Sequence, residues 1–185
     1  GIGRFALGNN TTANSNTAVG YNSLKENQTG ASNTAVGSEA MDAATTAHSS
    51  VCIGSQSGGA ITTGVNNTAV GHQALDATTT SSFNVAVGSG ALGANTESAQ
   101  TAVGHNALQA ESATAGNNGY NAVLGYQAMR NASGAAVNVA VGYQALVGDD
   151  LTANYNTAVG GYVGYNVTSA PHNVFLGYKA GYATT

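Results

Sequence analysis

"NTAVGYNSL" (Asn16–Leu24) returns as "NTAVGSEAM" (Asn33–Met41), "NTAVGHQAL" (Asn67–Leu75) and "NVAVGYQAL" (Asn138–Leu146). Anchoring on the glycine that closes the "AVG" element gives Gly8, Gly20, Gly37, Gly54, Gly71, Gly88, Gly104, Gly125, Gly142, Gly160 and Gly177. The successive intervals are 12, 17, 17, 17, 17, 16, 21, 17, 18 and 17. Self-similarity at a fixed period of this length marks a chain built of stacked units.

Each column of the repeat has a physical character. The residue before the glycine is always Val, Leu or Ile, from Leu7 and Val19 to Val159 and Leu176. Two places earlier stands Thr or Val in most copies, and the place between them is mostly Ala, with Cys52, Val123 and Phe175 as exceptions. Such alternation is a strand signature, because successive side chains point to opposite faces. The glycine follows where the backbone must turn through a conformation hostile to a Cβ. Three and four places later come Ala and then Leu or Met, as in Ala74–Leu75 and Ala128–Met129, a second short buried segment. The rest of each unit is Thr, Ser, Asn, Gly and Ala, which returns the chain to its start.

Two columns support stacking. Four residues before the glycine stand Asn16, Asn33, Asn67, Asn84, Asn121, Asn138, Asn156 and Asn173. Eight before it stand Thr12, Thr29, Thr46, Thr63, Thr80, Thr96 and Thr152. Identical amides repeated at about 4.8 Å hydrogen-bond along a stack. A helical solenoid does not fit: 17 residues cannot hold a helix pair, and this Gly, Asn and Thr content opposes helix. The expected fold is therefore all-β. Residues 1–185 form one parallel β-solenoid domain of about eleven coils, a rod roughly 50 Å long.

The predicted core of each coil is the aliphatic before the glycine, its Thr or Val companion, and the Leu or Met behind them. The Ala column then has no partner within its own coil. Burying it against copies of itself predicts an obligate homo-oligomer; the residues do not count its chains, and a homotrimer is the commonest arrangement for fibrous β-solenoids of this thickness.

The element N-[TV]-A-V-G-x-x-A-L, present nearly throughout the chain, resembles the head repeats of trimeric autotransporter adhesins. It is similar, more closely still, to the repeat arrays in fibre and tail-fibre proteins of bacteriophages and other large viruses. It departs from the adhesin pattern in having the longer period. The resemblance implies a trimeric, elongated, extracellular structure on a virion or cell surface, acting in host or surface attachment.

Composition agrees with a regular, closely packed object. There are only four basic and eight acidic residues among 185, a net charge of −4, one proline and no tryptophan. Neither sign of charge dominates, which argues against a nucleic-acid partner. No apolar run approaches the roughly 20 residues of a membrane-spanning helix, so no membrane insertion is expected. The chain opens mid-pattern and is read as part of a longer polypeptide. Cys52 is the single cysteine.

No catalytic constellation emerges, and neither an enzyme, a metal nor a cofactor is expected. His72 and His105 share the place after the glycine, but lie two coils apart. The Asp149–Asp150 pair reads as a solvated turn. The sequons at Asn10, Asn27, Asn66, Asn131 and Asn166 are ordinary in so Asn-rich a chain. Tyrosine is distributed more pointedly: of nine, only Tyr21 precedes residue 120. Tyr143, Tyr162, Tyr165, Tyr178 and Tyr182 are the candidate ligand contacts, suited to a host-surface glycan or protein receptor. The competing readings are a purely structural filament subunit joined end to end and, more remotely, an ice-binding solenoid. Against ice binding, the Thr doublets such as Thr45–Thr46 are adjacent, so alternation sends their side chains to opposite faces.

Overall fold

A computed structural model describes residues 1–94, 96–109, 119–148 and 151–183. It is an all-β, right-through stack of coils with ten three-residue strands: β1 (Thr17–Val19), β2 (Thr34–Val36), β3 (Val51–Ile53), β4 (Thr68–Val70), β5 (Val85–Val87), β6 (Thr101–Val103), β7 (Ala122–Leu124), β8 (Val139–Val141), β9 (Thr157–Val159) and β10 (Val174–Leu176). They form one parallel sheet in sequence order. Register is kept rung by rung: Thr17 pairs Thr34, Ala18 pairs Ala35 and Val19 pairs Val36. It is the same at the far end, where Phe175 pairs Ala158. The predicted β-solenoid is thus the observed fold.

Stacking is not confined to the strands. Around the rest of each coil, backbone N–H groups donate to carbonyls of adjacent coils, as in Leu24 to Ala40 (3.0 Å), Thr45 to Thr62 (3.0 Å) and Gln56 to Ser38 (2.8 Å). What aims these groups along the stack is a backbone that repeatedly enters the left-handed region. Three columns of mostly non-glycine residues do so: Ser32, Ser49 and Asn66 before the Asn column; Glu39, Gln56 and Gln73 two places after the glycine; Leu24, Met41 and Leu75 four places after it. An L-residue placed there carries a penalty of about 1–2 kcal/mol. Burial of the Leu or Met side chain, about 1.5–3 kcal/mol, offsets it in the last column.

The column glycine answers to two demands at once. Gly71 has φ +141°, and a Cβ there would overlap the carbonyl oxygen of Gly88 in the next coil. The same holds for Gly20, Gly37, Gly54, Gly88, Gly104, Gly125, Gly142 and Gly160. Gly8 does not belong to this set. Ile2 bridges Val19, and Gly3 (φ +126°) lies against the carbonyl of Gly20, so Gly3 is the true register glycine. Ala6–Leu7 then occupies the Ala–Leu place, with Leu7 N–H donating to the Ser23 carbonyl (3.0 Å). "FALG" imitates "AVG" but belongs to the other buried segment. Correcting it turns the odd interval of 12 into another 17.

The core corrects the expected assignment of faces. Ala is the strand residue that points inward: Ala18, Ala35, Ala69, Ala86, Ala102, Ala140 and Ala158 are all buried, with the Leu and Met column packed on them. The flanking Thr and Val residues point outward, with Val51 36 %, Ile53 40 % and Val139 38 % exposed. A coil that turns this tightly has an interior one methyl and one Leu deep. The two residues that flank Ala on each strand, mostly Thr or Val before it and an aliphatic after it, cannot enter it. The Ala column therefore has its partner inside its own coil, and oligomerisation cannot be argued from it.

The Asn ladder is present, though its wiring differs from simple amide stacking. The side-chain oxygen of each rung accepts the backbone N–H of the next: Asn16 from Asn33 (2.8 Å), Asn121 from Asn138 (2.9 Å), Asn156 from Asn173 (2.9 Å). In most rungs the Nδ2 group meanwhile donates to a return-segment carbonyl, as Asn33 does to Ala47 (2.7 Å), whereas those of Asn84 and Asn156 are buried without a partner. Direct amide-to-amide bonds occur as well, between Asn138 and Asn121 (3.2 Å) and between Asn173 and Asn156 (3.2 Å). Ser50 and Gln100 keep the line unbroken, because each supplies an oxygen of its own to Asn67 and Asn121. In the Thr column, the hydroxyl that bonds to the next coil belongs to the preceding residue: Thr45 to Thr62 (3.3 Å) and Thr62 to Thr79 (3.1 Å). Thr46, Thr63 and Thr80 are exposed.

Candidate functional site: the outward ranks and the tyrosine cluster

The sheet presents two outward ranks, two residues apart on each strand. One holds Thr17, Thr34, Val51, Thr68, Val85, Thr101, Ala122, Val139, Thr157 and Val174. The other holds Val19, Val36, Ile53, Val70, Val87, Val103, Leu124, Val141, Val159 and Leu176. Ten strands at about 4.8 Å give a β-branched face roughly 45 Å long. The first rank is half Thr, and the second is aliphatic throughout and mostly half-buried; an apolar strip of that extent is uncommon on a monomer.

Flanking this face, the residue after the glycine points outward, as its variability suggests: Tyr21, Ser38, Ser55, His72, Ser89, His105, Tyr126, Tyr143 and Tyr178 are all exposed. Along the later coils this column becomes aromatic. His105 lies on Tyr126 (5.4 Å between ring centres, 32° between planes), and Tyr126 stacks on Tyr143 (5.4 Å, 4°). Tyr143 meets Tyr162 edge-on (5.0 Å), and Tyr162 meets Tyr178 the same way (6.1 Å). Gly161 stands where the column would carry its tyrosine, and Tyr162, one place on, supplies the ring instead. A hydrogen bond with Tyr143 is the leading cause holding the Tyr162 phenol above its ordinary pKa.

A second column runs five places after the glycine, where Tyr165 stacks on Tyr182 (5.2 Å, 8°). Tyr162 joins the two columns through Tyr165 (5.7 Å). Lys179 Nζ sits between them, 5.3 Å from the Tyr178 ring and 5.4 Å from that of Tyr182. The five candidate tyrosines thus form one connected cluster across successive coils. Where rings stack in parallel, the facing surfaces cover one another, leaving the outer faces of the stack, the edges and the hydroxyls for a ligand. Tyr178, 70 % exposed at the end of its column, is the freest.

A further outward ladder has its signal in the repeat, where Gln and Glu recur at one place. Two places after the glycine, Gln73 Nε2 donates to Gln56 Oε1 (3.1 Å), Gln56 to Glu39 Oε2 (3.1 Å) and Gln144 to Gln127 Oε1 (2.8 Å). Five places before the glycine, Tyr155 stacks on His172 (5.0 Å, 3°). Phe83 and Tyr120, at the same place in their coils, are 62 % and 58 % exposed.

Nothing among the described residues assembles reactive groups. No cluster of three or more His, Cys, Asp or Glu side chains comes together there, and no described helix is long and apolar enough to cross a membrane. Cys52 is buried in the Ala column, and burial pushes its thiol up to about 12. Burial likewise raises Asp42 and Asp76. The Asp149–Asp150 pair lies outside the described residues. Of the sequons, Asn27 is wholly buried, whereas Asn66 and Asn166 are exposed. Comparison with protein-family models, with curated proteins and with solved structures finds no match to this chain.

Proposed function

We propose that this chain is a segment of an extracellular homotrimeric fibre, of a virion tail or a cell surface, serving host or surface attachment. The observation that supports it is the β-branched face. Three rods packed through their Thr and Val ranks bury an apolar strip that a lone chain leaves in water, at about 25 cal/mol per Å² covered. The resemblance of the repeat to fibre and adhesin arrays points the same way. The role is mechanical and adhesive: a stiff rod carries three copies of a weak site, and simultaneous engagement multiplies their effect. The tyrosine cluster, set to one side of the packed face, is the site offered to a glycan or protein receptor. Measuring the mass of the chain in solution tests this reading. Trimers support it, monomers refute it, and filaments of indefinite length favour an end-to-end structural subunit.

One observation favours a second reading. The outward ranks stand two residues apart on each strand and in register over ten rungs, which the adjacent Thr doublets do not achieve. A monomer that shapes growing ice crystals would assign this same face to ice binding.

A further inference from the structure

The second aromatic column contains a notch. Five and six places after the glycine, successive coils carry Arg130–Asn131, Val147–Gly148 and Tyr165–Asn166, and these six residues line one depression. Its cause is a short rung between two long ones. Val147 is 5 % exposed and Gly148 has no side chain, while Arg130 and Tyr165 carry long, half-buried side chains on either side. The long rungs are two strand spacings apart, about 9.6 Å. The lining is mainly polar, with backbone at the floor, and one wall is the Tyr165 ring, backed by Tyr182 at 5.2 Å. The rim carries the Asn166 amide and the Arg130 guanidinium, whose Nε donates to Asn131 Oδ1 (3.2 Å). An aromatic wall with amide and guanidinium groups at its edge matches a pyranose, which has C–H faces and hydroxyl edges.

We propose that this notch is a carbohydrate subsite that seats one hexopyranose. The ring's C–H face lies on Tyr165, and its hydroxyls bond to Asn166, Arg130 and the backbone of the short rung. The inference rests on the adhesive reading above and gives it a ligand class and a place. Gly148 is fixed by its surroundings, since a Cβ there would overlap the Val167 carbonyl, so the short rung is built into the stack. A subsite this small binds at about the millimolar level on its own, and multivalency supplies the rest.

The test uses methyl β-D-glucopyranoside, whose all-equatorial hydroxyls leave both ring faces as C–H, and the corresponding glucuronide. Binding to the intact chain is followed by saturation-transfer NMR, with sedimentation of the same samples. Arg130→Gln and Asn166→Ala should each weaken glucoside binding at least fivefold. Tyr165→Ala should abolish it, and Tyr21→Ala, on a distant coil, should leave it unchanged, all with unaltered circular dichroism. Tighter binding of the glucuronide, lost in Arg130→Gln, would support the subsite with an acidic sugar as its natural occupant. No saturable binding of either probe, or binding indifferent to the three notch variants, would overturn the proposal. Trimers that fail to bind refute the notch alone, whereas monomers refute the fibre reading whatever they bind.

Discussion

The Sγ of Cys52 fills the space that a side chain on Gly58 would need: a Cβ there would stand 2.6 Å from the sulfur and 2.9 Å from Cδ1 of Ile61. Gly58 occupies the Leu and Met column, and its φ of +61° is close to the +56° of Leu75 one coil on. The backbone would accept leucine; the space would not. A similar trade recurs near the far end, where Gly164 lies beside Leu146 of the preceding coil, Val167 and Phe175, and Gly181 beside Phe175. Wherever the column residue shrinks to glycine, a neighbour in the coil's interior has grown.

This reciprocity predicts non-additive energetics. Gly58→Leu should destabilise by about 1–3 kcal/mol through overpacking. Combining it with Cys52→Ala and Ile61→Ala, which restores the Ala–Leu pattern of other coils, should recover most of the loss. A urea-denaturation cycle measures the coupling, and additive effects would disprove the shared space.

Breaking the Asn ladder should cost more than an exposed polar contact. Asn138 is 1 % exposed, accepts from Asn156 N–H (2.9 Å) and donates to the Ala153 carbonyl (2.9 Å). Asn138→Ala strands both partners, for about 2–4 kcal/mol. Hydrogen exchange should show the Asn156 amide deprotected first. Asn84→Gln should be milder, because Gln100 already serves as a rung.

The column glycines should tolerate no side chain. Gly142→Ala sets a Cβ against the Gly160 carbonyl in a left-handed conformation, and the expected loss exceeds about 3 kcal/mol. Gly8→Ala is the control. Gly8 lies outside the register column and its φ is not positive, so its Tm should move far less.

Cys52 provides a pH and reactivity readout. Its thiol is pushed from an ordinary 9.0 to about 12 by burial, so the fold favours the protonated form. The stability it contributes is whole below pH 9 and drains away as pH rises from 9 towards 12. At pH 8 the native chain should resist alkylation by iodoacetamide, and urea should expose the thiol to full reaction. Rapid labelling of the native chain would contradict the interior placement.

Much of this architecture can be read from the residues. The 17-residue period, the turn glycine, the Asn column and the outward place after the glycine all appear in the structure as expected. The orientation of the strand does not follow from alternation. Thr17–Ala18–Val19 says only that Ala18 faces away from its neighbours, and hydrophobicity alone points to Val19 as core. The narrow interior decides otherwise. Leu75 and Met41 in left-handed backbone run against local preference and are imposed by the stack. The Gln56–Gln73 ladder had a visible signal in the recurring amides two places after the glycine. The tyrosine columns were legible as a cluster in sequence, but their division between two columns joined at Tyr162 required the fold.

The account turns on whether the Thr and Val ranks find partners. Sedimentation and light scattering of the whole chain at micromolar concentration test it most directly, with Val141→Lys on the outward rank as comparison. The predicted result is a species of three times 18.2 kDa that Val141→Lys dissociates into folded monomers. A well-folded monomer of the unsubstituted chain would contradict it.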